Sequence, residues 1–141
     1  MHNEAILLTF GSTNVQGDEL AWEIGGGLKL KGIRCIKCEK PEDILETAEE
    51  NKGKEIFVMD VVKELGRVRF VGVDELSEHT IVSLHDFDVG FFLKLLKEVG
   101  ISIKIIGVPF GMKKEDGLKE VSVFLADYLA GVQRGKKKAK V

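Results

Sequence analysis

Three short runs that are apolar almost throughout, Ala5–Phe10, Glu55–Asp60 and Ser102–Val108, recur along the chain with amphipathic segments between them. Strands that read as continuous apolar runs are those buried on both faces, so these three are expected at the centre of a sheet with helices on either side. The full order predicted is strand Ala5–Phe10, helix Asp18–Lys31, strand Ile33–Cys38, helix Pro41–Glu50 and strand Glu55–Asp60. Strand Arg67–Val73, a polar loop to Ser83, helix Asp86–Val99, strand Ser102–Val108 and helix Leu118–Ala130 follow. Alternation of this kind defines an α/β fold, a three-layer α/β/α sandwich around a mostly parallel five-stranded sheet. The link between Asp60 and Arg67 is too short for a right-handed helical crossover, which predicts that strand 67–73 runs antiparallel at an edge.

The helical segments carry their own periods. Leu118, Val121, Leu125 and Leu129 form one apolar stripe, and Phe92, Leu95, Leu96 and Val99 another. Helix 18–31 is unusual because Gly25, Gly26 and Gly27 interrupt its Leu20, Ile24, Leu28 face. Each interior glycine costs roughly 1 kcal/mol against alanine, so close approach of helix to sheet is the expected reason for them.

A chain of 141 residues with formal net charge −2 reads as one domain over residues 1–132, followed by a basic, disordered tail at 133–141. That charge argues against general nucleic-acid binding, which needs a basic face. No apolar run approaches the roughly 20 residues of a membrane span, and the start Met-His-Asn-Glu is unlike a signal peptide, so a cytoplasmic address and a monomer are expected. Glu and Lys abound while there are two Gln and three Asn, a composition that leans toward a thermophilic source. Cys35 and Cys38 lie three apart on one strand and point to opposite faces, which suits structural thiols and neither a disulfide nor a shared metal.

The loop Gly11-Ser-Thr-Asn14-Val-Gln-Gly-Asp18-Glu19 joins the first strand to the first helix. It lacks the second glycine of a dinucleotide-binding turn and the lysine of a P-loop, and its two carboxylates would repel a phosphate. Carboxylates in a first helical turn favour a cation, although Asp18 alone also reads as a helix cap. Asp60 closes an apolar strand, where open α/β sheets place ligand-binding groups. His85 precedes a helix whose positive end favours a neutral imidazole. Glu19, Asp60 and His85 together make an oxygen/nitrogen set with open positions, suited to nickel, manganese, iron or zinc.

These residues resemble the hydrogenase maturation endopeptidases, which remove the C-terminal tail of the large subunit of nickel–iron hydrogenases. The family's opening G-x-G-N-x-x-x-x-D-[DE] is similar to Gly11-Ser-Thr-Asn14-Val-Gln-Gly-Asp18-Glu19, with Thr13 where a glycine is usual. Its aspartate after the third strand corresponds to Asp60, and its histidine before a long apolar helix to His85. The late run Ile105-Ile-Gly-Val-Pro-Phe is also similar, so the resemblance extends from about Ala5 to Gly131. After Ile33–Cys38 the family usually shows an Asp-Gly-Gly-Thr-like turn, whereas this chain has Cys38-Glu-Lys-Pro-Glu-Asp.

The resemblance implies a metal-assisted endopeptidase whose partner is the hydrogenase large-subunit precursor. Glu19, Asp60 and His85 would bind nickel already installed in that precursor, and Asp18, Glu19 and Asp60 would serve the chemistry. Two other readings stay open on the residues: a catalytically silent relative that binds a hydrogenase subunit, and a receiver-like regulatory module. The receiver reading requires a lysine at the end of the last strand, where Val108 and Pro109 stand.

Overall fold

The computed structural model describes residues 4–10, 19–77 and 89–139. Strands β1 (Ala5–Phe10), β2 (Ile33–Cys38), β3 (Ile56–Val62), β4 (Arg69–Val71) and β5 (Lys104–Pro109) form one sheet in the order β2-β1-β3-β5-β4. The first four of that order are mutually parallel, and β4 pairs antiparallel with β5 at the edge. The mostly parallel α/β sheet with one reversed edge strand is therefore as expected from sequence.

Two apolar cores show why there are three layers. Side chains alternate along β3, so Ile56, Val58 and Val62 join one core and Phe57, Met59 and Val61 the other. The first core is closed by α2 (Pro41–Glu50), α3 (Val73–Ser77) and α4 (Val89–Glu98). The second is closed by α1 (Glu19–Gly27) and α5 (Lys114–Ala139). All seven residues of β3 are buried, as a central strand covered on both faces requires.

Several boundaries differ from the sequence reading for identifiable reasons. β3 continues through Val61 and Val62, two buried β-branched residues that pair with Val108 and Pro109, so Asp60 lies inside the strand and not at its end. The segment after β4 contains helix α3 where a loop is expected. Its start is fixed by Glu75, whose carboxylate accepts the Gly72 N–H at 2.9 Å and pairs with Arg69 at 3.1 Å. The apolar stripe of α4 is Leu93 and Leu96, with Phe92 partly covered, while Leu95 and Val99 are exposed. α5 starts ahead of Leu118, and its backbone stays helical to Ala139, through residues read from sequence as a disordered tail. Lysine and arginine are good helix formers, and extending an existing helix needs no new nucleus.

The glycines of α1 occupy its last turn. A β-carbon on Gly25 would collide with Thr9 Cγ2, and one on Gly27 would lie 3.3 Å from Leu118 Cδ2. From the other helix, a β-carbon on Gly117 would come within 2.6 Å of Ile24 Cδ1. Close approach is thus the reason for Gly25, and it lets α1 sit against both β1 and α5.

Candidate functional site

The chain order β2-β1-β3 makes β1 and β3 neighbours whose connections leave toward opposite sides: β1 leads into α1 on one face, and the segment after β3 returns by way of α4 on the other. A switch point of this kind opens a crevice at the carboxyl ends of the strands, where open α/β sheets bind ligands. Asp60 lies on β3 opposite Gly107 of β5, two residues from the end of its strand, and is fully buried. Alternation with Val58 and Val62 assigns its carboxylate to the face covered by α2 and α4. A carboxylate on a central strand between valines is not a packing residue, because withdrawing it from water carries a large desolvation penalty.

The surroundings of Asp60 are tightly filled. A β-carbon at Gly107 would lie 2.6 Å from both Leu65 Cδ1 and Val71 Cγ2 and 3.2 Å from Val62 Cγ2. The absence of a side chain at residue 107 therefore lets the β3–β4 link and the edge strand close over the strand that faces Asp60.

Of the other expected site residues, Glu19 is described only through its backbone, as the first residue of α1. Asp18 and His85 lie outside the described residues, so their positions relative to Asp60 are not part of the description. Among the described residues no three His, Cys, Asp or Glu side chains gather as a metal-binding group. α4 ends shortly before β5 begins and so runs antiparallel to it, its ten residues rising about 15 Å back toward the carboxyl rim. The start of α4 and the start of α1 therefore both lie toward the carboxyl rim, on opposite faces of the sheet.

The turn after β2 has a structural task. Asp43 accepts the backbone N–H groups of Glu39 at 3.0 Å and Lys40 at 3.1 Å, and so fixes the entry into α2. Cys38 is buried and Cys35 exposed, both as free thiols, in line with their opposite faces on β2. Burial first, and the nearby Asp43 carboxylate second, push the Cys38 thiol up to about 12, far from reactive thiolate character.

Two features at the carboxyl rim escape sequence reasoning because they depend on pairing between distant segments. Phe110, just past β5, is 51% exposed, and the Lys63 ammonium lies 5.9 Å from its ring centroid. On the far side of the crevice the Lys37 ammonium sits 5.4 Å from the ring of Trp22. Near Phe110 a groove of about 630 Å³ runs between the β3–β4 link and α5, with Val68, Met112, Val123 and Phe124 as its apolar lining.

The opposite end of the sheet carries a different cluster. Tyr128 of α5 donates a 3.0 Å hydrogen bond to Glu55, which Lys104 approaches at 3.8 Å. The Tyr128 ring packs edge-on against Phe57 and Phe70. Lys104 thus opens β5 at its amino end, remote from the position a receiver-type lysine would need.

By sequence the chain matches no family profile and no curated protein. By structure it is similar to the nickel–iron hydrogenase maturation protease HycI from Thermococcus kodakarensis KOD1, with TM-score 0.65 and 18% identity over 91% of this chain and 93% of that one. A Hydrogenase 3 maturation protease is similar with TM-score 0.64 and 15% identity over 84% of this chain and 86% of that one. An uncharacterized protein from Wolinella succinogenes follows, with TM-score 0.59 and 12% identity over 92% and 99% of the two chains. The fold is thus similar to that of two hydrogenase maturation proteases, over 84% and 91% of this chain.

Proposed function

We propose that this protein is an endopeptidase that removes the C-terminal extension of a nickel–iron hydrogenase large-subunit precursor once nickel is in place. The observation that carries the reading is a buried carboxylate, Asp60, on the central strand beside a switch point, in a fold shared with proteases of hydrogenase maturation. Glu19, at the first residue of α1, and His85, four residues before Val89 in the chain, supply the remaining ligands in this reading.

The nickel is cargo of the substrate and not a resident cofactor. Carboxylate oxygens and one imidazole nitrogen form a donor set that suits it, and bound there it would act as a Lewis acid toward the scissile carbonyl. In this reading Asp60 and Glu19 hold and orient the cargo, with His85 as the nitrogen donor. Asp18 or one of the ligand carboxylates, Glu19 or Asp60, is assigned the proton transfer that accompanies peptide hydrolysis. The protein is accordingly read as acting in the cytoplasm, where the precursor is made.

The test is direct. Purified precursor, with and without nickel, is incubated with the protein and its mass followed. Loss of the tail from the nickel-loaded form alone is the expected result. An intact tail after incubation with correctly folded protein would overturn the reading for that precursor.

A further inference from the structure

We propose that Phe110, steadied by Lys63, is the residue that anchors the substrate polypeptide, and that the groove beginning at Met112 receives the stretch of chain next to the anchor. The inference rests on the peptidase reading for the identity of the occupant, and on the structure for its location.

Phe110 is held in place despite its exposure. Its N–H donates to Val62 O at 3.0 Å, which extends the β3–β5 ladder by one residue past Pro109. Both chain exits then turn sharply, with φ of 68° at Glu64 and 88° at Gly111. A non-glycine residue with positive φ is conformationally disfavoured, so the Glu64 turn persists because the surrounding structure imposes it. The result is an aromatic residue whose backbone is fixed at the rim and whose side chain keeps half its surface in water, with the Lys63 ammonium beside the ring. Aromatic side chains carry a large contact area with few rotatable bonds and are enriched among the residues that dominate binding energy at interfaces.

The continuation from the anchor is also defined. The Met112 N–H donates to Pro109 O at 3.3 Å and closes the turn, and Met112 then lines the groove together with Arg67, Asp116, Glu120, Val123 and Asp127, among others. Val123 is 55% exposed on the groove wall. From Asp116 to Asp127 the helix rises about 16 Å, the length of roughly five residues of extended chain. The groove's length along α5 therefore matches a short extended segment of polypeptide. Apolar lining between Arg67 and Lys119 on one hand and Asp116, Glu120 and Asp127 on the other selects a segment with an apolar side chain and polar flanks.

The experiment compares wild type, Phe110→Ala, Phe110→Tyr, Val123→Asp and the control Val99→Asp, whose site is 65% exposed on the other helical layer. Binding of fluorescently labelled nickel-loaded precursor is measured by anisotropy, and cleavage by mass. Phe110→Ala and Val123→Asp are expected to weaken binding and raise KM about tenfold with kcat kept, as truncation of an interface anchor does. Phe110→Tyr is expected to restore both, and Val99→Asp to behave as wild type. Wild-type binding by Phe110→Ala, a fall in kcat without a change in KM, or self-association of the wild type that depends on Phe110 would each overturn the inference. Because binding is read without turnover, a protein that binds through Phe110 but never cuts would sink the peptidase reading and leave the anchor standing. Cutting that is indifferent to Phe110 would do the reverse.

Discussion

Gly25 and Thr9 approach so closely that residue 25 has no room for a β-carbon: one built there would collide with Thr9 Cγ2. This contact sets the distance between α1 and β1, and hence where the first residue of α1 stands relative to the carboxyl rim. Gly25→Ala should destabilise the fold by roughly 1–3 kcal/mol, the usual penalty of overpacking. Gly26, which has open space around its β-carbon position, should instead gain about 0.5–1 kcal/mol on change to Ala. Urea unfolding of both variants checks the contrast, and Thr9→Ser should recover most of the loss in Gly25→Ala.

Tyr128 is the single tyrosine of the chain, so its ionisation can be followed without interference. Burial first, then the hydrogen bond to Glu55, push it up to about 12 from the ordinary 10. The folded state thus holds this proton more tightly than the unfolded one, and the associated stability is intact below pH 10 and lost as pH rises toward 12. Tyrosinate absorbance should appear near the higher value in folded protein and near the ordinary one in denaturant. Tyr128→Phe should lose about 0.5–1.5 kcal/mol at neutral pH and most of this alkaline sensitivity.

The Glu75 carboxylate is held below the usual carboxylate range by the hydrogen bond from Arg69, with the Gly72 N–H adding to it. Its contribution to stability is present at neutral pH and disappears as acid protonates it. Glu75→Gln should therefore lower the urea midpoint at pH 7, and the difference from wild type should shrink as the pH falls below the ordinary carboxylate range. The pair is partly exposed, so the loss should stay below about 1 kcal/mol.

Asp60→Asn tests the proposed chemistry at one atom. The amide nearly matches the carboxylate in shape and volume, so the core packing around residue 60 should be kept, which circular dichroism of the variant checks. Cleavage of nickel-loaded precursor should fall by at least about a hundredfold, in the range seen when one charge-stabilising group is removed from an active site. Retained cleavage would remove Asp60 from the mechanism.

Much of the architecture is legible in the chain because burial on two faces leaves a plain signature. Ala5–Phe10, Ile33–Cys38 and Pro41–Glu50 match the structure at both ends. The antiparallel edge strand followed from a link too short to cross over, a constraint of chain length and not of residue type. What failed was local: α3 is little more than a turn, and its signal, Gly72 followed three residues later by Glu75, is a weak capping pattern. The stripe on α4 went wrong at two positions because Phe92, Leu93, Leu95 and Leu96 offer two overlapping apolar faces, and only packing into the shared core chooses between them.

At the candidate site the sequence pointed to Asp60 through its chemistry, an acid among apolar neighbours, but put it at the strand end. The extension to Val62 rests on pairing with β5, which no local pattern encodes. Phe110 and Lys63 are invisible from sequence for the same reason, since their contact joins residues far apart in the chain. Expected partners Asp18 and His85 lie outside the described residues, and Glu19 is described by backbone alone.

The Tyr128–Glu55–Lys104 clasp and the Asp60 crevice sit at opposite poles of the same strands. Whatever anchors the architecture is thereby decoupled from whatever touches cargo. Substitutions at the carboxyl rim therefore leave untouched the contacts that tie α5 to the amino ends of β3 and β5.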